Sequence, residues 1–580
     1  MASVDTGTAW RAQGGMAWQI AEEDLAATRI LVESLGVSAT LARLLVNRGH
    51  VDPVRARRFL NPRMADLRRP DGEHEMSGFH VAVQRLVRAI ETGEVVGLFG
   101  DYDVDGVTSA ALLAGVLRRS GGTVVMRVAE REAGYGLSPE TVRTLHGEGA
   151  RVLVTCDCGT SDHDAIATAV ELGVDVIVVD HHQVPDLSAG EPRWLALINP
   201  HQPRCRFPFK GLASVGVAFY LAAALRTALV ARGLPAADPR DELDLVAIGT
   251  ICDLAPLTDE NRILVQAGLQ RLRTSPRPGL AALAVVAGFE LPTLRSADVG
   301  MRIGPRLNAP GRLGSASLAL ELLLAPDAKE AHRLATAIEE VNTRRREITQ
   351  RVSDEARLHP GAQPGRAATV VSGDGWSHGV VGIVAARLVE ETGRPCIVIG
   401  FDGDVGRGSA RTVPGVNLYA SLKEVAHLLT RFGGHAQAAG LTISRDALPA
   451  FVEAFEAVVA RVGRRDDGVP LWLDATVSLG SIDLPLVEEL VRLEPCGVGN
   501  PEPCLHSDPV TVERTRVVGG DHLQVTLRDG GAVRDGFAFR FAPRDPGAGA
   551  KIAVAYVPEI DTWRGTRRLR LRLRDLRPIV

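Results

Sequence analysis

Lysine is nearly absent from this chain: Lys210, Lys329, Lys423 and Lys551 are the only four, so arginine supplies almost all of its 66 basic residues. A GC-rich genome explains that bias as readily as selection for bidentate phosphate contacts, so it decides nothing alone. Charge of one sign is also missing, because 70 acidic residues leave a net charge of -4. Overall charge therefore predicts neither nucleic-acid nor membrane binding. The seven cysteines have no paired CxxC framework, which argues against a disulfide scaffold and fits a reducing compartment. Cys156 and Cys158 flank Asp157 without further partners at zinc-ligand spacing and read as small buried residues at a strand end. No uninterrupted apolar run approaches twenty residues, and no basic, apolar and cleavage-site pattern opens the chain. The expectation is a cytoplasmic protein with no membrane association.

What is present is organisation on the scale of several domains. At 580 residues the chain is too long for one core, and about three or four domains are expected. Residues 1 to about 75 read as a polar, Arg-rich helical preface. From 85 to 260 strand-like segments (VVGLFG, TVVMRV, RVLVTC, VDVIVV) alternate with helical ones, the pattern of a doubly wound α/β domain. Leu334, Ile338, Val341, Ile348, Val352 and Ala356 then recur at helical spacing and predict one long amphipathic helix bridging two domains. HPGAQPGR, 359 to 366, reads as a linker, and a second α/β unit begins at AATVVSG.

Beyond about 465 the pattern becomes β. In RRLRLRLRDL, Leu569, Leu571 and Leu573 are expected to face inward and Arg568, Arg570, Arg572 and Arg574 outward, as in a small barrel. A basic strand face can follow a phosphate backbone, but few aromatics lie nearby for base stacking and a basic edge strand also protects against pairing.

The strongest chemical signal is acid at strand ends. VVGLFG runs into Asp101, Asp103 and Asp105; at roughly 3.3 Å per extended residue, alternate side chains point one way and can converge on one or two cations. RVLVTC runs into Asp157, and VDVIVV into Asp180, His181 and His182, where strand carboxyl ends form the ligand crevice of an open parallel sheet. Helix capping accounts for one such aspartate but not for five carboxylates and two histidines at three strand ends. Asp253, at the end of LDLVAIGTIC, is positioned by sequence to complete a second metal sphere. Mixed Asp and His ligation suits Mn²⁺, with Mg²⁺ as the alternative ion. In the second α/β unit, GRGSAR combines glycines, whose amides can approach an anion, with Ser409 and Arg411 as donors.

The order DYDVDG, VTCDCG, VVDHH and GTICDLAPL resembles the four motifs of the DHH phosphoesterase superfamily, and within it the RecJ family. The likeness continues through RIGPRLNAPGRLGSA, WSHGVVGIVAARLVEETGRP, GSARTVPGVNLY, RFGGHAQAAGLTI, EPCGVGNPEPC and HLQVTL, nearly the whole chain. It implies two α/β domains, DHH and DHH-associated, joined by a long helix and followed by an OB-type barrel. The expected boundaries are 1–75 for the preface, 76–325 for DHH, 326–366 for the connecting helix and linker, 367–463 for the DHH-associated domain and 464–580 for the barrel.

The resemblance further implies a single-stranded-DNA-specific 5′ to 3′ exonuclease that releases mononucleotides in recombination and repair. Two ions are implied, one held by Asp101, Asp103 and Asp157, the other by Asp105, Asp157, His181 and Asp253, with Asp157 bridging. Asp157, Asp105 and His182 would carry the catalysis, His182 lying beside the scissile phosphate. Arg306, Asn308, Arg312, His378, Ser409, Arg411, Gly433, Gly434 and His435 are the implied substrate contacts, with Trp376 a neighbour. The expected protein is a monomer, with a single-strand-binding protein and a helicase as candidate partners.

The chain also departs from the family pattern. Aligned on Gly134, Tyr135 and Gly136, Ala129 and Glu130 stand where an Asn-Arg pair is usual, with Arg131 one residue late, and Ser214 and Val215 occupy small-residue positions in LASVGVAFY. Two other activities fit the same motifs: a phosphodiesterase for short oligonucleotides or cyclic dinucleotides, disfavoured by the barrel and preface, and a non-catalytic DNA-binding replication factor, disfavoured by the complete acid set.

Overall fold

A computed structural model describes residues 17–131, 136–185, 192–462, 470–561 and 566–579. Gly134 and Tyr135, on which the Asn-Arg comparison was aligned, and residues 1–16 of the preface lie outside them. The chain forms two compact units, Met64–Arg465 and the pair Met1–Arg63 with Asp466–Val580.

The larger unit is built around a five-stranded parallel sheet, in spatial order Thr123–Val128, Val95–Gly100, Ala150–Cys156, Asp175–Val179, Ala196–Ile198. These strands are continuous apolar runs because helices cover both faces. By chain order the sheet runs 2-1-3-4-5, so its direction reverses between Val95–Gly100 and Ala150–Cys156. The carboxyl ends at such a reversal open the crevice in which doubly wound sheets hold ligands. Asp101 and Asp157 are the first residues past those two strands.

Two helices apolar all round fill the layer beside this sheet, Ser214–Ala231 and Leu243–Cys252. Among the described residues Ser214–Ala231 is the one helix long and apolar enough to cross a membrane, although Arg226 and Thr227 interrupt its apolar run. It is mostly buried here, with Ser214 to Ala222, Leu225 and Leu229 inside the core. The start of Leu243–Cys252 is clamped by Arg277, whose guanidinium donates to Asp244 at 2.6 and 2.7 Å and to Glu242 at 2.8 Å. That clamp fixes the helix whose far end delivers Asp253.

The bridging helix spans Ala328–Leu358, capped by Asp327, with Leu334, Ile338, Val352 and Ala356 on its buried stripe. It leads to a second five-stranded sheet, ordered Arg431–Gly434, Ala438–Ser444, Val405–Arg411, Cys396–Asp402, Thr369–Asp374. Only the last two strands are parallel.

In the other unit, Leu505–Val518, His522–Asp529, Ala532–Ala538, Arg568–Pro578 and Lys551–Asp561 pair in that order, and Leu505–Val518 closes the barrel on Lys551–Asp561. Leu571 and Leu573 face inward and Leu569 is half-buried. Its basic strand is less bare than the sequence implied: Arg570 pairs with Glu559 and Asp561, and Arg572 with Glu502 and Glu559. Aromatics are also closer than expected, since His522, Phe537 and Phe539 meet edge to face with ring centres 4.8 to 5.8 Å apart. The helices Leu25–Leu35, Ala39–Asn47 and Pro53–Leu60 share this unit's core, Leu31, Leu41, Leu44 and Leu45 packing with Leu490, Leu505 and Leu571. At its centre the Ser507 hydroxyl donates to the Val477 carbonyl, which makes the Tyr556 hydroxyl the donor to Ser507 at 2.7 Å. Tyr556→Phe is therefore expected to lower this unit's stability by about 1 kcal/mol in urea unfolding followed by tryptophan fluorescence.

Candidate metal centre

The three acids of DYDVDG do not converge as alternate residues of a strand. The strand ends at Gly100 and the chain turns at once into the helix Val104–Arg119. Asp103 caps that helix, accepting from the amides of Asp105 and Gly106, and Asp105 sits in its first turn. The turn is tight enough that a Cβ on Gly106 would lie 2.5 to 2.8 Å from the Asp101 backbone. Convergence thus comes from a strand-to-helix reversal, which sequence alternation misdescribes.

Asp157 adopts φ +65°, a left-handed conformation that aspartate tolerates better than most side chains. Its amide continues the sheet pairing to the Val179 carbonyl at 2.9 Å while its carboxylate turns toward the other acids. Such a backbone persists only where its surroundings over-determine it. Asp180, one strand over, organises the histidines. Its Oδ1 accepts from the amides of His181 and His182 and lies 2.8 Å from His182 Nδ1, and its Oδ2 accepts from the Thr160 hydroxyl at 2.5 Å. Asn199, fully buried, donates to the His182 carbonyl at 2.9 Å.

Three groups of candidate ligand atoms result, each with its atoms within 4.8 Å of one another: Asp101, Asp103 and Asp157; Asp105, His181 and Asp253; and Asp157, His181 and His182. His181 Nε2 stands 3.3 Å from Asp157, 3.8 Å from Asp253 and 4.0 Å from Asp105. Both His181 Nε2 and Asp101 Oδ1 are buried without a hydrogen-bond partner. Orphaned polar atoms amid this much carboxylate are what a cation would satisfy, so the donor set fits a divalent ion. The electrostatics agree. Burial and the neighbouring Asp103 push Asp101 up to about 8. Burial with Asp253 raises Asp105 to about 7, burial with Asp103 raises Asp253 to about 7, and Asp157 is driven well above the carboxylate range by burial and its acidic neighbours. Burial works against charge on His182, yet the Asp180 hydrogen bond carries it up to about 9, while burial lowers His181.

The neighbouring cleft is basic. Arg312, half-buried at the end of the helix Gly304–Leu313, is held down to about 10 by desolvation and by Arg131, Arg345 and Arg411. It donates to the Gly379 carbonyl at 3.1 Å, on the helix that begins at His378. Arg131 lies 4.0 Å over the Tyr102 ring and donates to the Gly311 carbonyl. Ser409 and Arg411 share a hydrogen bond at 2.9 Å near the end of Val405–Arg411. The glycines before them do not offer free amides. That strand is paired on both sides, and Gly406 and Gly408 make room for Phe401, Ile399 and Leu441. Gly433, Gly434 and His435 stand exposed on and just past the strand Arg431–Gly434, and Asn308 is half-buried. Arg306 is engaged by Glu339 at 2.6 and 3.2 Å. Trp376 is buried and donates to Glu355, a packing position.

Comparison with known proteins matches 95–250 to the DHH family N-terminal domain, 365–461 to the DHHA1 domain and 473–575 to the RecJ OB domain. The single-stranded-DNA-specific exonuclease RecJ of Bacillus subtilis (strain 168) is 35% identical over 571 residues, covering 97% of this chain and 70% of the relative. The chain belongs to the RecJ family. Crystal structures of RecJ from Thermus thermophilus superpose over 97% of this chain: with Mn²⁺ the TM-score is 0.82 at 32% identity and 79% of that chain, with Mg²⁺ it is 0.76 at 31% and 78%. From sequence Thr160, Asn199 and Gly379 carried no assigned role, and Ser214 was noted only as a departure from the family pattern; their contacts to Asp180, His182, Arg312 and Asp157 appear only in the fold.

The raised carboxylates make a pH prediction for this RecJ-family centre. Groups whose folded values exceed about 4 bind more protons folded than unfolded, so their contribution is full at acid pH and is lost as pH rises toward about 8. His182 acts in the same sense up to about 9, and His181 opposes near its ordinary value. In EDTA the melting temperature should fall between about pH 5.5 and 8.5, and Mn²⁺ should stabilise most at the alkaline end because binding displaces protons. Differential scanning calorimetry across that range reads both slopes; a rising slope in EDTA contradicts the carboxylate repulsion.

Proposed function

We propose that this RecJ-family chain is a metal-dependent exonuclease that degrades single-stranded DNA from the 5′ end, releasing 5′-mononucleotides in recombination and repair. The observation that carries the reading is the set of ligand groups linked to one another through Asp157 and His181 beside the topological reversal of the sheet. Asp101, Asp103 and Asp157 would hold one Mn²⁺, and Asp105, Asp157, His181 and Asp253 the other, with Mg²⁺ the alternative. Paired divalent ions there would supply an activated water and polarise the phosphoryl oxygen.

The chain's own groups supply the rest. Asp180 fixes the His182 ring through Nδ1, and the imidazolium favoured by that bond would stabilise charge growing on the scissile phosphate. Arg312, Arg411 and Ser409 would concentrate donors on a terminal phosphate, whose charge would offset the burial and neighbouring arginines that depress Arg312. Gly433, Gly434 and His435 would follow the strand's phosphates. His378 and Asn308 line the same approach, and Arg306 acts there only by exchanging Glu339 for DNA.

The test uses purified protein, Mn²⁺ and single-stranded DNA labelled at either end, beside a duplex, a dinucleotide and a cyclic dinucleotide. Mononucleotides released from the 5′ end of single strands alone support the proposal. Cleavage confined to the dinucleotides, or binding without cleavage in any divalent metal, overturns it.

A further inference from the structure

The buried helix Ser214–Ala231 starts without a side-chain cap of its own, since its N-cap residue is Ala213. Its first two amides instead reach across to Asp105: Ser214 N donates to Oδ2 at 2.7 Å and Val215 N to Oδ1 at 3.0 Å. A carboxylate from another helix thus satisfies donors that every helix leaves open at its start. The Ser214 hydroxyl does something separate. It lies 3.0 Å from Asp157 Oδ1, with the residue wholly shielded from solvent. One residue therefore ties two acids of different ligand groups to the same helix start, its amide holding Asp105 and its hydroxyl holding Asp157.

We propose that Ser214 is a positioning residue for a divalent cation pair, its hydroxyl fixing the orientation of the shared Asp157 carboxylate relative to Asp105. An ionised carboxylate only accepts hydrogen bonds, so Ser214 must donate, and one lone pair of Oδ1 is then committed to protein. The hydroxyl thereby fixes the rotation of the carboxylate, and with it the directions presented to cations, from a helix that cannot move without unpacking the core. The left-handed backbone of Asp157 restrains the base of the side chain, and Ser214 restrains its tip. The inference rests on Asp157 being shared by both ions.

Ser214→Ala removes the hydroxyl while leaving the two amide bonds to Asp105, and Ser214→Gly repeats the deletion with less bulk. Free Mn²⁺ followed by electron paramagnetic resonance gives binding isotherms without any need for turnover. The expected result is two sites in the wild type and, in Ser214→Ala, about tenfold weaker binding at the weaker site, in line with loss of a partner that orients a ligand. Melting in EDTA should stay near wild type while the gain on adding Mn²⁺ shrinks. A merely structural hydroxyl would lower both melting temperatures equally and leave the isotherm unmoved, and that outcome overturns the proposal. Asp157→Asn run in parallel separates the two readings: two unperturbed Mn²⁺ sites in that variant would sink the shared-ligand assignment itself, whatever Ser214 does.

Discussion

Asp157→Ala should abolish hydrolysis of single-stranded DNA, by more than about 10³-fold, while DNA binding measured in the same buffer falls little. Removing an outer-shell partner costs about 10 to 100-fold, and loss of a ligand common to two ions exceeds that range. In the proposed function strand affinity comes from phosphate contacts of the arginines around Arg312, so binding is expected to survive. The variant's melting behaviour sharpens the reading. In EDTA the loss of this buried acid relieves its conflict with burial and with Asp103 and Asp105, and offsets the poorer fit of alanine at φ +65°. In Mn²⁺ the wild type should gain stability and the variant should not. Single-turnover assays with end-labelled DNA, paired with filter binding, measure both arms; wild-type turnover in Mn²⁺ would refute the assignment.

A second large effect is expected outside the acid cluster. Gly379 lies against the Arg312 backbone so closely that an added Cβ would sit 1.9 Å from the Arg312 carbonyl oxygen. The obstacle is backbone on both sides, so no rotamer change relieves it. Gly379→Ala must push the helix His378–Thr392 away from Gly304–Leu313, breaking the Arg312 bond to the Gly379 carbonyl. Over-packing of this kind costs about 1 to 3 kcal/mol. The functional cost is larger, because displacements near 1 Å can lower rates by about 10²-fold. Activity on single strands should fall by that order while Mn²⁺ binding stays normal. Equal losses in both would mean general unfolding, readable by circular dichroism.

The acid cluster was legible because its candidate ligands lie in short segments whose flanks announce buried strands, and strand ends are where a parallel sheet opens. The geometry behind the convergence was not legible: DYDVDG bends at Gly100 into a helix, which alternation cannot express. Ser214 and Gly379 matter through partners 57 and 67 residues away, and no local pattern reports a hydroxyl–carboxylate bond or a backbone crossing. The glycines of GRGSAR misled because glycine serves close packing as well as anion approach. The aromatic group at His522, Phe537 and Phe539 assembles only when neighbouring strands and the residues just past them are brought into register. The association of the first helices with the barrel was invisible for the same reason, since their leucines meet residues more than 400 positions later.

That last arrangement has a bearing on how the chain is made. The smaller unit is interrupted by the larger one, Met64–Arg465, so the leucines of its first helices leave the ribosome long before their partners exist. At synthesis rates of about 5 to 20 residues per second, roughly 400 intervening residues take about 20 to 80 seconds. Throughout that interval the intervening sheets can pair and pack, whereas Leu31, Leu41, Leu44 and Leu45 stay in water or on a chaperone. A nascent chain arrested before the barrel strands would present a greasy arm on a finished catalytic body, which makes the order of translation, rather than the barrel's own stability, the step most exposed to aggregation.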